Sequence, residues 1–207
     1  MAPSFVSRLC ACAVTAAFGL VALAQDNSDR AELLFDSKSV TFDRQSNMIQ
    51  LLSPRLTQGD LQIGADEALA SGADLESASE WRFTGNVHIE AGRAVMDADS
   101  AVFKVDEGRL SRGELQGAPA SFTDLDPARE KPLSGTARNM SYDATARTLR
   151  MTDAFLQRDQ TEITGCDLIY NFATENLASG DADCENPFRL RRIAPEPAQR
   201  DEPDPPR

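Results

Sequence analysis

The sequence holds one histidine, one tryptophan, two tyrosines and four cysteines in 207 residues. Each scarcity excludes something. With a single histidine and no Cys-x-x-Cys, the chain lacks the usual donors for a zinc site, and no metal is expected. No Gly-rich phosphate loop, no HExxH and no G-x-S-x-G elbow occurs, so neither a cofactor nor a catalytic set is expected. Basic residues are also few, 21 against 33 acidic, for a net charge of −12. Binding to phosphate backbones needs a basic face, so a nucleic-acid partner is not expected. Beyond residue 24 there is no long apolar run and no convincing amphipathic helix.

Residues 1–24 read as a cleavable Sec signal peptide. Arg8 is their only charge, residues 9–23 are apolar or small, and Ala22-Leu23-Ala24 is a small-x-small cleavage site before Gln25. The run is 15 residues, short of the roughly 20 that a spanning helix needs. Cys10 and Cys12 have no apolar run before them, which argues against a lipoprotein site. Cleavage removes Arg8 and leaves 20 basic against 33 acidic side chains, a net charge of −13. Such acidity keeps a β-rich protein soluble and discourages chance edge pairing. Two cysteines remain, and an even count in an exported chain suggests a disulfide. A hairpin of 168–172 and 177–182 would place residues summing to about 350 opposite each other. Cys166 and Cys184 fit that sum, and closing this loop would stabilise by roughly 3 kcal/mol in the chain-entropy model.

What the chain does have is alternation. In residues 81–103, Trp81, Phe83, Val87 and Ile89 alternate with Arg82, Thr84, His88 and Glu90. That period of two predicts a strand with one apolar face. Residues 90–93 turn, and Ala94, Met96 and Ala98 alternate again. Ala101 and Phe103 follow after a one-residue slip, the mark of a bulge. The same pattern starts at Leu33, with Val40 and Phe42, then Ile49 and Leu51, then 61–66. It resumes around Asp106-Glu107-Gly108, around 143–147, and through 155–164. Residues 68–79 read as a loop with one helical turn, and 123–133 as an exposed loop. Residues 25–32 read as flexible and 33–188 as the folded domain. Residues 189–207 read as a disordered tail; five of the last fourteen residues are proline.

An internal repeat runs through the chain. A shift of 100 places Val40 on Met140, Phe42 on Tyr142, Asp43 on Asp143, Ile49 on Leu149, Leu51 on Met151, Leu56 on Leu156 and Ile63 on Ile163. Repeated short strand pairs predict an all-β stack of hairpins around a shared apolar interior. His88 falls on a polar strand face, where it reads as solvated. Asp66, Asp97 and Asp99 lie by turns or bulges, where aspartate bonds local amides. The apolar stripes are mostly medium or small residues. They read either as ordinary core or as a loosely filled interior able to hold an alkyl chain, at about 0.8 kcal/mol per buried methylene. An open stack also leaves strand edges that can pair with a partner.

Several segments carry a resemblance. Phe83-Thr84-Gly85-Asn86-Val87-His88-Ile89 resembles the GNV-x-I strand of the OstA/LptA family of lipopolysaccharide transport proteins. Gly117-Ala118-Pro119-Ala120-Ser121-Phe122 is similar to its G-x-P-A-x-F segment. Residues 96–103 and 137–143, with Tyr142, look like two further strands. Ile163-Thr164-Gly165-Cys166-Asp167-Leu168-Ile169-Tyr170 is similar to its I-x-G-D-x-I-x-Y motif, with Cys166 where that motif has Asp. The resemblance implies a single β-jellyroll of stacked, V-shaped antiparallel strands, open at both ends. It implies a periplasmic protein that performs no chemistry and carries lipopolysaccharide between membranes, the lipid A acyl chains riding in an apolar groove. It also implies as partners the inner-membrane and outer-membrane transport jellyrolls, and end-to-end self-association. The groove candidates in this chain are Phe42, Ile49, Leu51, Leu61, Ile63, Phe83, Val87, Ile89, Met96, Phe103, Met140, Tyr142, Leu149, Met151 and Ile163. Arg189, Arg191 and Arg192 form the one basic cluster, a candidate rim for anionic head groups. Residues 33–57 stand before the usual start of the family pattern. The alternative is a structural adaptor whose edges assemble partners around a dry interior, and a related membrane-anchored jellyroll is a third reading.

Overall fold

Period-two alternation becomes strand almost everywhere it occurs. The computed structural model of the protein describes residues 32–71, 79–126, 131–180 and 188–193. They belong to the unit Ala31–Arg207; the unit Met1–Arg30, with the expected signal peptide, lies outside the described residues. No helix among the described residues is long and apolar enough to cross a membrane. Six long strands make the centre: β7 (Glu80–Ala91), β8 (Ala94–Asp106), β9 (Arg109–Asp124), β10 (Leu133–Asp143), β11 (Thr148–Arg158) and β12 (Thr161–Asn171). Before them come six short ones, β1 (Leu34–Asp36), β2 (Ser39–Asp43), β3 (Met48–Leu52), β4 (Arg55–Gln58), β5 (Leu61–Gly64) and β6 (Glu67–Ser71). After them come β13 (Asn176–Ser179) and β14 (Arg189–Arg192). All fourteen are antiparallel neighbours in one sheet that does not close on itself.

The long strands bend near their middles, at left-handed residues and at slips of register. In β7, Gly85 (φ 75°) and Asn86 (φ 47°) are left-handed, and the β7–β8 register slips between Thr84 and Val87. A Cβ on Gly85 would lie 2.5 Å from Asp66 Oδ2, so only glycine fits this corner. The β8–β9 register slips between Asp97 and Ser100, and β9 turns through Gly117 and the cis Ala118–Pro119 bond. The β9–β10 register slips between Ala137 and Asn139, and Asp153 of β11 is left-handed. These are bulges of the kind that sharpen a strand's bend. In the N-terminal part the corner breaks each strand in two: β1 and β2, β3 and β4, and β5 and β6 are the halves of three bent strands.

The result is two arms. The first arm runs β2-β3-β6, then residues 80–84, 100–106, 109–116, 139–143, 148–152 and 167–171 of β7 to β12, and β13. The second runs β1-β4-β5, then 87–91, 94–97, 120–124, 133–137, 154–158 and 161–165 of the same strands, and β14. The hundred-residue repeat is geometric. Phe42 faces Ile49 as Tyr142 faces Leu149, and Leu56 faces Ile63 as Leu156 faces Ile163. Ser53 (φ 48°) marks the corner that Asp153 (φ 51°) marks a hundred residues later. Asp43 Oδ1 accepts from Gln45 N at 2.8 Å, and Asp143 Oδ1 from Ala146 N at 2.8 Å.

Four expectations are corrected. The span 123–133 is not all exposed loop: Thr123 and Asp124 end β9, Leu133 opens β10, and Asp124 and Leu133 are buried, while 127–130 lie outside the described residues. Part of 68–79 is strand: Ala68 and Ala70 of β6 are buried beside Phe83 and Trp81, while 72–78 lie outside the described residues. Alanines alternating with Glu67 and Leu69 are too small to read as a strand stripe, yet they fit under large aromatics. The tail does not begin at Arg189, because Arg189–Arg192 pairs with β12; residues 194–207 lie outside the described residues. The last hairpin pairs residues summing to 347, as in Leu168↔Ser179, not 350. A turn over 172–175, with Asn171 Oδ1 accepting from Ala173 N and Thr174 N, sets that register.

Candidate functional site

The faces that the two arms turn toward each other form one apolar interior from the N-terminal to the C-terminal end of the sheet. Fourteen of the fifteen groove candidates line or border it. Ile49, Ile63, Phe83, Ile89, Met96, Met140, Leu149 and Met151 are fully buried, as are Leu51, Leu61, Val87 and Phe103 within 6%. Tyr142 and Ile163 are partly buried against the same cluster. Phe42 is placed differently, 51% exposed on edge strand β2. The interior also takes in Leu56, Trp81, Leu115, Phe122, Leu156, Leu168 and Tyr170. Their signal was the strand phase itself, and Leu156 was already visible as the repeat partner of Leu56.

Aromatic rings join the arms at both ends. At the N-terminal end Phe35 of the second arm lies 4.5 Å, centroid to centroid, from Trp81 of the first. At the C-terminal end Phe122 of the second arm lies 5.6 Å from Tyr170 and 6.0 Å from Phe172. Between them the filling is mostly Val, Ile, Leu, Met and Ala, with Phe83 and Phe103 edge to face at 6.0 Å in the first arm. Among the described residues the core is at or near zero exposure, so the interior is packed by its own side chains at this arm spacing.

Polar groups gather where the arm tips meet. Arg93, in the β7–β8 turn of the second arm, has Nε 2.7 Å from Asp124 Oδ1 and donates from Nη2 to Asp124 Oδ2 at 3.0 Å. Arg93 Nη1 donates to Glu175 Oε1 at 2.9 Å, and Tyr170 OH donates to Asp124 Oδ2. Asp124 is fully buried. The Glu175 hydrogen bond is the main reason the guanidinium holds its proton more firmly than usual. Burial, then the Asp124 hydrogen bond, raises Tyr170 above the ordinary phenol range.

Among the described residues both ends of the sheet carry unpaired edges. At the N-terminal end these are β1 and β2, with Leu34, Val40 and Phe42 about half exposed and Leu52 beside them. At the C-terminal end they are β13 and β14, with Leu190 59% exposed and Phe188 next to it. Arg189, Arg191 and Arg192 stand on β14, Arg191 lying 3.7 Å from Glu162.

The outer faces are polar. A cavity of about 750 Å³ at the N-terminal corner is lined by Asp36, Lys38, Arg55, Asp66, His88 and Glu90, among others. His88 Nδ1 donates to Asp97 Oδ1 at 2.6 Å, and Asp97 Oδ2 accepts from Ser121 Oγ at 3.2 Å. The Asp97 hydrogen bond raises the His88 pKa. Asp66 accepts from Asn86 Nδ2 at 2.8 Å. Each of these groups serves its neighbours, and no cluster able to hold a metal occurs among the described residues.

The family described as LptA/(LptD N-terminal domain) LPS transport protein matches residues 69–176, just over half of the chain. That span opens in β6, takes in all six long strands and stops at the first residue of β13, leaving β1 to β5 and β14 outside it. Among solved structures the chain resembles the crystal structure of LptH, the LptA homologous periplasmic component of the conserved lipopolysaccharide transport device from Pseudomonas aeruginosa. The TM-score is 0.50 at 12% identity, covering 81% of this chain and 99% of that one, so the likeness shows the fold. No curated protein matches the chain. With its bent antiparallel strands, its two facing apolar arms and the family match across its centre, the chain belongs to the LptA/LptD N-terminal domain family of lipopolysaccharide transport proteins, and its fold is a β-jellyroll of that kind.

Proposed function

We propose that the mature chain is a periplasmic lipopolysaccharide-binding protein, one segment of a bridge between the inner and outer membranes. The acyl chains lie between the two arms, and the sugars and phosphates stay in water. The observation that carries this reading is the apolar interior, which runs unbroken between two unpaired ends in a member of a lipopolysaccharide transport family. A dozen methylenes taken from water into an empty groove would contribute roughly 8–10 kcal/mol; in this packed interior the net gain is smaller, because the chain displaces contacts the side chains already make.

The ends suit assembly with a second copy or with partner jellyrolls. β1 and β2 run from the second arm to the first, whereas β13 and β14 run from the first to the second. Stacking the C-terminal end of one copy on the N-terminal end of the next therefore continues the antiparallel alternation. The basic strand β14 would then meet an end that carries Asp36 and Glu32. The Cys166–Cys184 disulfide belongs to this proposal. It is supported by the even cysteine count left in an exported chain; Cys184 lies outside the described residues.

The test is binding of the purified mature protein to lipopolysaccharide, with a deacylated form as competitor. Binding of intact lipid without competition from the deacylated form is expected. A photo-crosslinker at Ile89 or Leu149 should capture the lipid, and one at His88 should not. If no lipid binds while the protein still assembles end to end, the adaptor reading replaces this one.

A further inference from the structure

The groove has a long side as well as two ends, and among the described residues that side is bridged through side chains. No strand pairing joins the tips of the two arms among the described residues. Two polar clasps do. At one, Gln58, the last residue of β4 in the second arm, reaches the β8–β9 turn of the first. Its Nε2 donates to Gly108 O at 3.1 Å, and its Oε1 accepts from Leu110 N at 2.9 Å. At the other, Arg93 and Asp124 of the second arm hold Glu175 and Tyr170 of the first. The Arg93–Asp124 pair lies within one arm and survives if the arms part; the bonds to Glu175 and Tyr170 do not.

We propose that these clasps are a lateral gate, and that an acyl chain reaches the interior only when they open. The inference rests on the lipid-binding reading for its ligand, but not for its mechanics. An interior packed to near-zero exposure has no room for a chain unless the arms separate. Separation costs apolar contact between the arms, and an acyl chain restores contact of the same kind. It restores none of the clasp's hydrogen bonds. The clasps are therefore the part of the closed state that the lipid cannot replace, and they set how rarely the empty protein opens. Their placement fits this role. They sit only at the tips, and Asp124, Tyr170 and Phe122 form the innermost layer of the second clasp, next to the groove.

The test places spin labels on Thr145→Cys and Gln160→Cys, exposed turn residues at the tips of the first and second arms. Distances are measured by double electron–electron resonance in the oxidised protein without lipid. The double variant Tyr170→Phe with Glu175→Ala removes the cross-arm bonds and leaves Arg93 with Asp124. It should raise the population at longer distance about tenfold or more, the factor that one charge-assisted hydrogen bond is worth. Gln58→Leu at the other clasp should act in the same direction in a background with the Arg93 clasp intact. Unchanged distance distributions in both folded variants would overturn the gate. Adding lipopolysaccharide to the unsubstituted protein separates the two ideas. A shift to the longer distance supports both. Opening in the variants with no response to lipid in any form keeps the gate and rejects the lipid reading.

Discussion

Phe42 offers the sharpest test of how the ends work. It occupies the position on β2 that Tyr142 occupies on β10, and both face the interior side of the first arm. Tyr142 is covered by Phe172, 6.1 Å away, and by the strands on either side of it. Phe42 has a neighbour on one side only and is 51% exposed. If a second chain extends the sheet at β2, Phe42 acquires the cover that Tyr142 already has. A phenylalanine side chain buries on the order of 200 Å², so about 100 Å² remains to be covered, worth about 2.5 kcal/mol at roughly 25 cal/mol per Å². Alanine retains a small part of that, so Phe42→Ala should weaken end-to-end association by about 2 kcal/mol, or roughly thirtyfold. Sedimentation velocity over a concentration series reads this as a midpoint displaced upward by that factor. Thermal unfolding at low concentration should change far less, because the ring is only half packed in the single chain. An unchanged midpoint, in a protein that assembles when unsubstituted, would refute the idea that the inner face of β2 is what assembly buries.

Two further predictions concern the single chain. A Cβ at Gly135 would fall 2.0 Å from Phe155 O and 2.7 Å from Leu156 Cα, while one at Gly64 meets nothing within 4 Å. Gly135→Ala should therefore cost about 2–3 kcal/mol and lower Tm by roughly 5–10 °C, with Gly64→Ala near neutral by the same calorimetry. His88 has its pKa raised above 6.5, chiefly by Asp97. Its contribution to stability is therefore fully present below the unfolded pKa of about 6.5 and is lost as pH rises through the folded value. Stability measured across that window should fall slightly with rising pH in the unsubstituted protein and not in Asp97→Asn; equal slopes would contradict the pairing.

Alternation was enough to find the long strands, because each strand has one face inside and one in water. It also carried the hundred-residue repeat, since Phe42, Ile49, Leu56 and Ile63 keep the phase of Tyr142, Leu149, Leu156 and Ile163. The bend was harder to read. A strand that passes through Gly85 and Asn86 keeps its apolar face inward on both sides of the corner, so alternation reports one face where the fold has two arms. Strand β14 was missed because main-chain pairing to β12 holds it, while its side chains are Arg, Leu, Arg and Arg. The Arg93–Glu175 bond was invisible for another reason. Its partners stand 82 residues apart, each in a turn where a charged residue is ordinary. Sequence spacing has no rule for what two arm tips bring together.

A packed interior suits a carrier that must release its load. A preformed empty groove would give an acyl chain the full benefit of leaving water, about 0.8 kcal/mol for each methylene. In this chain the residues lining the groove already cover one another, with Ile63, Ile89, Met96, Met140, Leu149 and Met151 at zero exposure. A lipid that enters under the proposed function displaces those contacts, so its net gain is the difference between two apolar packings. That difference is small per methylene, and its sign can change between neighbouring segments of a bridge. Methionine favours such an exchange, because its unbranched thioether repacks around irregular shapes more readily than valine or isoleucine. Met96, Met140 and Met151 lie on three different strands of the long-stranded centre, Met140 directly opposite Met151 in the sheet. Under the proposed function, then, the arms would hold lipid loosely, and the polar clasps at their tips, not the depth of the groove, would decide how often the protein exchanges it.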